Sequence, residues 1–248
     1  MPETVDLQGI QFLAIDIEQA LKTVEHYIPL KNGDYFCFVN IHVVMESHQD
    51  QELKKVLNNA AGNFPDGMGV AWALKFLGNK FHGRVRGADF MLKLCSYASG
   101  KNIKVFLYGN TEETLAALKE KLNALYPGIK IVGSISPPFR ELTAQEDADI
   151  VKNINEADPD VLCVSLGAPK QEKWMAMHKG KIRAVQLGVG AAFDFLTERV
   201  KQAPVWMQNS YLEWLYRLPQ QPKKTSYRMS LVPGFIIRTL KQFVSNSK

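Results

Sequence analysis

The chain has 248 residues, 46% hydrophobic and 22% charged, an ordinary composition that argues against disorder, collagen and a disulfide scaffold. At this size roughly 70–75% of the unfolded surface can be buried, so folding needs neither metal nor disulfide. The net charge of +5 is uneven: residues 199–248 carry nine Lys or Arg against Glu213 alone, and the rest of the chain carries 21 basic and 24 acidic side chains. A basic tail on a mildly acidic body calls for a local anionic partner, a phosphate or a lipid headgroup surface.

No run of about 18 apolar residues exists, and Met1-Pro2-Glu3-Thr4 lacks the basic flank and apolar core of a signal peptide. A cytoplasmic chain is expected. Cys37, Cys95 and Cys163 are odd in number, far apart and set among apolar residues, so they read as reduced core thiols.

Short apolar, β-branched or aromatic runs alternate with helical periodicity to about residue 196, the pattern of an α/β fold: a Rossmann-like, mostly parallel sheet with helices on both faces. Strands are expected at residues 9–14, 35–39, 103–108, 130–133, 161–166 and 184–188. Asp16 with Gln19 and Thr143 with Glu146 form capping boxes that open helices, and residues 70–77 read as helical. After residue 200, prolines 204, 219, 222 and 233 break the chain into short amphipathic pieces. There Trp206, Tyr211, Trp214, Tyr216, Tyr227, Phe235 and Phe243 are interleaved with cations. The expected division is an α/β domain over residues 1–198 and a basic, aromatic, helical C-terminal appendage over residues 199–248.

Ligands of open α/β sheets sit beyond the carboxyl ends of the strands. The residues there are Asn40-Ile41-His42, Gly109-Asn110-Thr111, Gly167-Ala168-Pro169-Lys170-Gln171 and Gly188-Val189-Gly190. Glycines that begin three of these runs either allow a phosphate to approach a helix N-terminus or merely turn the chain. Gly188, Gly190 and Phe193 approximate a dinucleotide fingerprint, but Phe stands where Gly or Ala belongs, which argues against a nicotinamide enzyme. Asp194 is either a pocket carboxylate or a helix cap, the cap being commoner. Asp66, on a turn between Pro65 and Gly67, is either an N-cap or a general base for a sugar hydroxyl, and chemistry alone favours the cap. Arg84 and Arg86 either clamp an anion or leave Asp89 to cap a helix and pair with one of them, the second being commoner. Lys170 and Gln171 can reach a ligand above the sheet, Pro169 suits a helix start and Trp174 suits the core.

The pairs Asp147/Asp149 and Asp158/Asp160 have hard oxygen ligands suited to magnesium or manganese. The first pair is expected inside a helix, facing apart, and the second before a strand at the far end of the sheet. The five histidines show no i, i+4 spacing, so no catalytic metal and no cofactor is expected.

Several runs in order resemble the WecG/TagA/CpsF family of bacterial glycosyltransferases. They are Pro65-Asp66-Gly67-Met68-Gly69-Val70, residues 84–89, residues 166–174, residues 188–195 with 199–204, and residues 212–218. The resemblance covers nearly the whole chain. It implies an inverting, metal-independent transferase that moves a sugar, best N-acetylmannosamine, from a UDP-sugar to a polyprenyl-diphosphate-linked sugar in cell-surface polysaccharide assembly. It also implies a chain held peripherally on the inner face of the membrane. Asp66 matches the family's base, Arg84 and Gln171 match substrate positions, and Arg217 matches the appendage. Asn40, Gly109, Asn110, Gly167, Lys170 and Asp194 complete the expected substrate site, and Lys223, Lys224 and Arg228 are expected to meet the membrane or the diphosphate.

Two departures stand out: Phe38 replaces the Thr usual two residues before Asn40, removing a hydroxyl near the donor, and Lys223 and Lys224 occupy an arginine-rich stretch. The alternatives are a UDP-glucose or uronic acid donor, a non-catalytic protein binding a nucleotide or phospholipid headgroup, and a nucleic-acid module, against which the acidic body speaks. No nucleic-acid partner is expected; a homo-oligomer is left open.

Overall fold

The computed structural model describes residues 3–78, 83–204, 206, 207, 210 and 212–246. Met1, Pro2 and Tyr211, named above, lie outside the described residues.

The described residues form two sheets. Strands β1 (Thr4–Leu7) and β2 (Ile10–Leu13) form an antiparallel hairpin. Its two-residue turn, Gln8-Gly9, has both φ values positive, the conformation that lets a tight hairpin follow the strand twist. Residues 9–14 thus form a strand as expected, but it pairs with β1 rather than joining the main sheet.

The main sheet contains β3 (Tyr35–Val39), β4 (Gly62–Pro65), β5 (Lys104–Gly109), β6 (Lys130–Ile135), β7 (Val161–Ser165) and β8 (Val185–Gly188). All are parallel, in the order β4-β3-β8-β7-β5-β6. Strand β4 was not expected, because proline usually ends a strand assignment; Pro65 is tolerated at the end of an edge strand, where no partner needs its missing N–H.

Alternation along the strands builds two cores. Phe36, Phe38, Val105, Leu107, Val161 and Cys163 face one side. They meet α1 (Ile17–Tyr27), α5 (Gly87–Lys101), α6 (Glu112–Leu125) and α9 (Ala192–Leu196). Tyr35, Cys37, Val39, Phe106, Tyr108, Leu162 and Val164 face the other. There they meet α2 (Ile41–Gln49), α3 (Gln51–Asn58), α4 (Met68–Phe76), α7 (Ala144–Glu156) and α8 (Lys170–His178). Helices therefore cover both faces, as the alternating pattern requires. The three cysteines are free and buried, and both expected capping boxes form.

The C-terminal segment is helical: α10 (Glu213–Arg217), α11 (Pro222–Ser230) and α12 (Val232–Asn246). Pro222 and Pro233 stand in first turns, where a missing N–H costs no helical hydrogen bond. Helix α12 buries Phe235 and Thr239 and packs against α2. Among the described residues no helix is long and apolar enough to cross a membrane.

Candidate active site

The site grows from the carboxyl ends of adjacent strands. Asp66 follows β4 directly, and its backbone N–H donates to the Val39 carbonyl at 3.0 Å, which fixes it beside the end of β3. It does not cap α4. That cap is Gly67, at φ 90°, with no side-chain hydrogen bond, so the carboxylate is turned away from the helix and left for other partners. The conformation favours glycine, which explains the Asp-Gly order.

Asn40 caps α2 by accepting from the Val43 N–H at 3.3 Å, and its side chain is also hydrogen-bonded to Asp66. Burial raises the Asp66 pKa to about 6; Arg86 opposes the shift, Glu213 adds to it, and Arg217 and Asn40 oppose it. The residue as a whole is half-buried. A carboxylate so placed is ionised near neutral pH yet basic enough to take a proton.

The commoner expectation was that Asp89 caps the helix and pairs with one of Arg84 and Arg86; it pairs with Arg86 at 3.7 Å but does not cap α5. The structure gives Arg86 a larger place. Arg86 is buried, donates to Gln202 Oε1 at 2.7 Å and lies over the Phe195 ring at 5.6 Å. Arg217 lies over the same ring at 4.8 Å and pairs with Glu213. Arg228 is exposed by surface area, yet crowding around its guanidinium and the Arg217 charge lower its pKa, against Asp66 and Glu213. The C-terminal helices thus carry two arginines and a carboxylate to the field of Asp66. Tyr227 of α11 clips this arrangement to α2, bonding Glu46 and meeting the His42 ring edge-on at 5.9 Å. Arg84 is half-buried. Lys223 and Lys224 are exposed at the start of α11.

A second group gathers at β5, β7 and β8. Gly109, at φ 110°, passes so close to β7 that a Cβ would lie 2.4 Å from the Ser165 carbonyl oxygen. Asn110 donates to Asp194 Oδ1 at 2.9 Å. Asp194 therefore does not cap α9, whose N-terminus has no side-chain cap. Neighbouring residues of α9 hold the two groups in register: Asp194 receives Asn110, and Phe195 stacks under Arg86 and Arg217. Gly167 and Lys170 are exposed at the entrance to α8, which begins one residue after Pro169, across a cis Ala168-Pro169 bond.

Gln171 is 2% exposed. Its amide donates to the Gly188 carbonyl at 2.8 Å and to Glu172 Oε1 at 3.0 Å, beneath the loop between β8 and α9. Glu172, absent from the expected site, is fully buried, and burial raises its pKa to about 7. Among the described residues, Glu172 Oε2 and Gln171 Oε1 have no hydrogen-bond partner. Nothing in the sequence singles out Glu172, because Lys170 and Lys173 make its turn read as a charged, solvated one. Trp174 is buried and stacks on Tyr108, as expected. Phe38 fills the aromatic cluster with Phe64 and Phe90, at 5.3 and 5.2 Å between ring centroids, beneath the start of α5.

Asp147 and Asp149 lie within α7, and Asp160 precedes β7, where it accepts the Lys104 N–H at 2.8 Å and pairs with Lys31. Among the described residues no group of three or more His, Cys, Asp or Glu stands ready for a metal.

Residues 5–248 match the family described as glycosyl transferase WecG/TagA/CpsF. Three curated relatives share one name, N-acetylglucosaminyldiphosphoundecaprenol N-acetyl-beta-D-mannosaminyltransferase. The protein of Bacillus subtilis strain 168 is 30% identical over 242 residues, 97% of this chain and 92% of the relative. That of Bacillus spizizenii is 27% identical over 248 residues, covering 99% and 94%. That of Staphylococcus aureus strain MW2 is 27% identical over 240 residues, covering 96% and 92%.

Proposed function

Because the chain belongs to the WecG/TagA/CpsF family of glycosyltransferases, we propose that it moves N-acetylmannosamine from its UDP-activated form to N-acetylglucosaminyl-diphospho-undecaprenol, with inversion at C1 and without a metal. The chain is a glycosyltransferase of cell-surface polysaccharide synthesis, which sets aside a purely non-catalytic binding role. The names of the three relatives support the sugar and the acceptor.

The observation that carries the mechanism is the Asp66 carboxyl, with its pKa near 6, held beside Arg86 and Arg217. As the acceptor hydroxyl attacks C1, its proton passes to Asp66 while the bond from C1 to the UDP oxygen breaks on the opposite face. General-base assistance of this kind is worth about 10²–10⁴ in rate. The leaving diphosphate needs positive charge where its own charge develops. The N-termini of α6 and α8, the Gly109 and Gly167 turns and Lys170 offer it from the body, which a bound cation would supply in a metal-dependent enzyme. Arg217, Arg228, Lys223 and Lys224 serve the acceptor diphosphate.

The C-terminal segment also carries exposed Trp206, Trp214, Ile237, Phe243 and Val244 beside its cations, a surface suited to lying on an anionic membrane face. The test is UDP release from a panel of UDP-sugars, with a short-chain lipid-diphosphate N-acetylglucosamine acceptor, in EDTA. Acceptor-dependent release from UDP-N-acetylmannosamine is expected. Release from another donor alone would overturn the sugar, and release that stops in EDTA and returns with magnesium would overturn the metal-free course.

A further inference from the structure

A second polar concavity lies away from Asp66, where the hairpin turn meets α12. It is a shallow, open depression of about 360 Å³ lined by Asp6, Gln8, His48, Arg238, Lys241 and Gln242, among others. Its walls are tied together. The Gln8 N–H donates to Gln242 Oε1 at 2.8 Å, and the Gln8 amide donates to the Phe235 carbonyl at 3.0 Å and to Thr239 Oγ1 at 2.9 Å. Gln242 in turn donates to the Asp6 carbonyl and carboxylate at 3.0 and 2.9 Å. The Gln8 side-chain oxygen faces His48 Nε2 at 2.9 Å.

The charge of this concavity is unbalanced. Asp6 is its carboxylate, and that group is already engaged by the Gly9 N–H and the amides of Gln11 and Gln242. Lys54 reaches the turn at the Gln8 carbonyl, 3.4 Å away. Arg238 and Lys241 form no ion pair among the described residues. The field of these cations is legible at His48, whose pKa is lowered by burial first and then by Arg238 and Lys54.

Helix α12 explains what such a site would face. At 100° per residue, Ile236, Leu240, Phe243, Val244 and Ile237 form one exposed apolar stripe, and Lys241 and Arg238 follow on the adjoining flank. The stripe runs on to α4 through Phe76, whose ring lies 4.6 Å from that of Phe243 and 5.2 Å from that of Trp72. If the stripe rests on acyl chains, the flank lies at the level of the phosphates, because an interfacial helix sinks only to the boundary between headgroups and chains.

We infer that this concavity binds the phosphodiester of an anionic phospholipid with a polyol headgroup, such as phosphatidylglycerol, and so fixes how the chain sits on the membrane. Arg238 and Lys241 meet the phosphate, while Lys54, held at the Gln8 carbonyl, adds only its field; the remaining acceptor capacity of Asp6 and the Gln242 amide suits headgroup hydroxyls. An ammonium headgroup is repelled by the same cations. The inference rests on the membrane reading above but concerns a site that no step of the transfer uses.

The experiment is co-sedimentation of the full chain at physiological salt with three kinds of vesicle: phosphatidylcholine alone, and phosphatidylcholine mixed with equal fractions of phosphatidylglycerol or phosphatidylserine. Wild type is expected to prefer phosphatidylglycerol over phosphatidylserine by at least about fivefold, since screened surface charge alone treats the two alike. The double variant Arg238→Gln/Lys241→Gln should lose that preference, while Lys130→Gln/Lys152→Gln, which removes equal charge from the body, keeps it. Equal binding of wild type to both anionic lipids, or a preference that survives in the first variant, overturns the headgroup site and leaves membrane association standing. Wild type that binds no vesicle but self-associates assigns the stripe to a second copy and overturns both readings. Soluble glycerol phosphate that binds wild type as tightly as the vesicles do overturns the lipid as source.

Discussion

The α/β body and the C-terminal helices handle charge in opposite ways. In the body carboxylates slightly outnumber cations, and many cations are paired: Lys173 with Asp50 and Glu52, Lys104 and Lys31 with Asp158, Lys121 with Glu198, and Arg140 with Glu146. In α10 to α12 the described cations outnumber the carboxylates six to one, Glu213 being that one, and large apolar side chains stand exposed among them. The body is complete as it stands, whereas the C-terminal helices are complete only against something anionic and apolar. The base belongs to the first region and much of the positive field around it to the second, so the site exists only where the two meet.

The largest break in that comparison is expected at the base. Asp66→Asn keeps size and hydrogen bonding but cannot take the proton, so turnover should fall by about 10²–10⁴ while donor affinity changes by less than about threefold. Steady-state kinetics with equilibrium UDP-sugar binding checks this. Next comes the C-terminal contribution. Arg217→Ala removes a cation from Asp66 and from the Phe195 ring and should lower kcat/KM by about 10–100-fold, with Arg217→Lys recovering only part, because an ammonium lacks the planar face that stacks. Acceptor titrations at fixed donor measure it.

The smallest effect belongs to the body alone. Burial raises Glu172 from 4.5 to about 7, so the folded chain holds this proton more tightly than the unfolded chain. Its favourable contribution is full below about 4.5 and is lost as pH rises through about 7. Glu172→Gln has no proton to lose. Thermal unfolding scans should therefore show the wild-type midpoint falling more steeply than the variant's between about pH 5 and 8, with the variant higher by a few degrees at the alkaline end.

Much of this was legible in the sequence. Five strands of the main sheet follow from apolar runs, two helix starts from capping boxes, and the strand-end rule pointed to Asn40, Asn110 and Gly167. What stayed hidden was tertiary. Asp66 reads locally as a cap, and only the positive φ of Gly67 turns it toward Asn40. Asp194 also reads as a cap, until the fold carries Asn110 within 2.9 Å of it. The partnership of Arg86 and Arg217 spans more than a hundred residues through the ring of Phe195, and no spacing rule reports such a contact. Strand β4 was lost because proline's meaning depends on whether its strand is an edge.

If a burial-shifted Asp66 is the base, the pH dependence of kcat/KM reports its ionisation. An acid limb with an apparent pKa near 6 is expected, activity rising as Asp66 ionises, with no such limb in the residual activity of Asp66→Asn. A limb near 4, or one near 6 that persists in the variant, would contradict it.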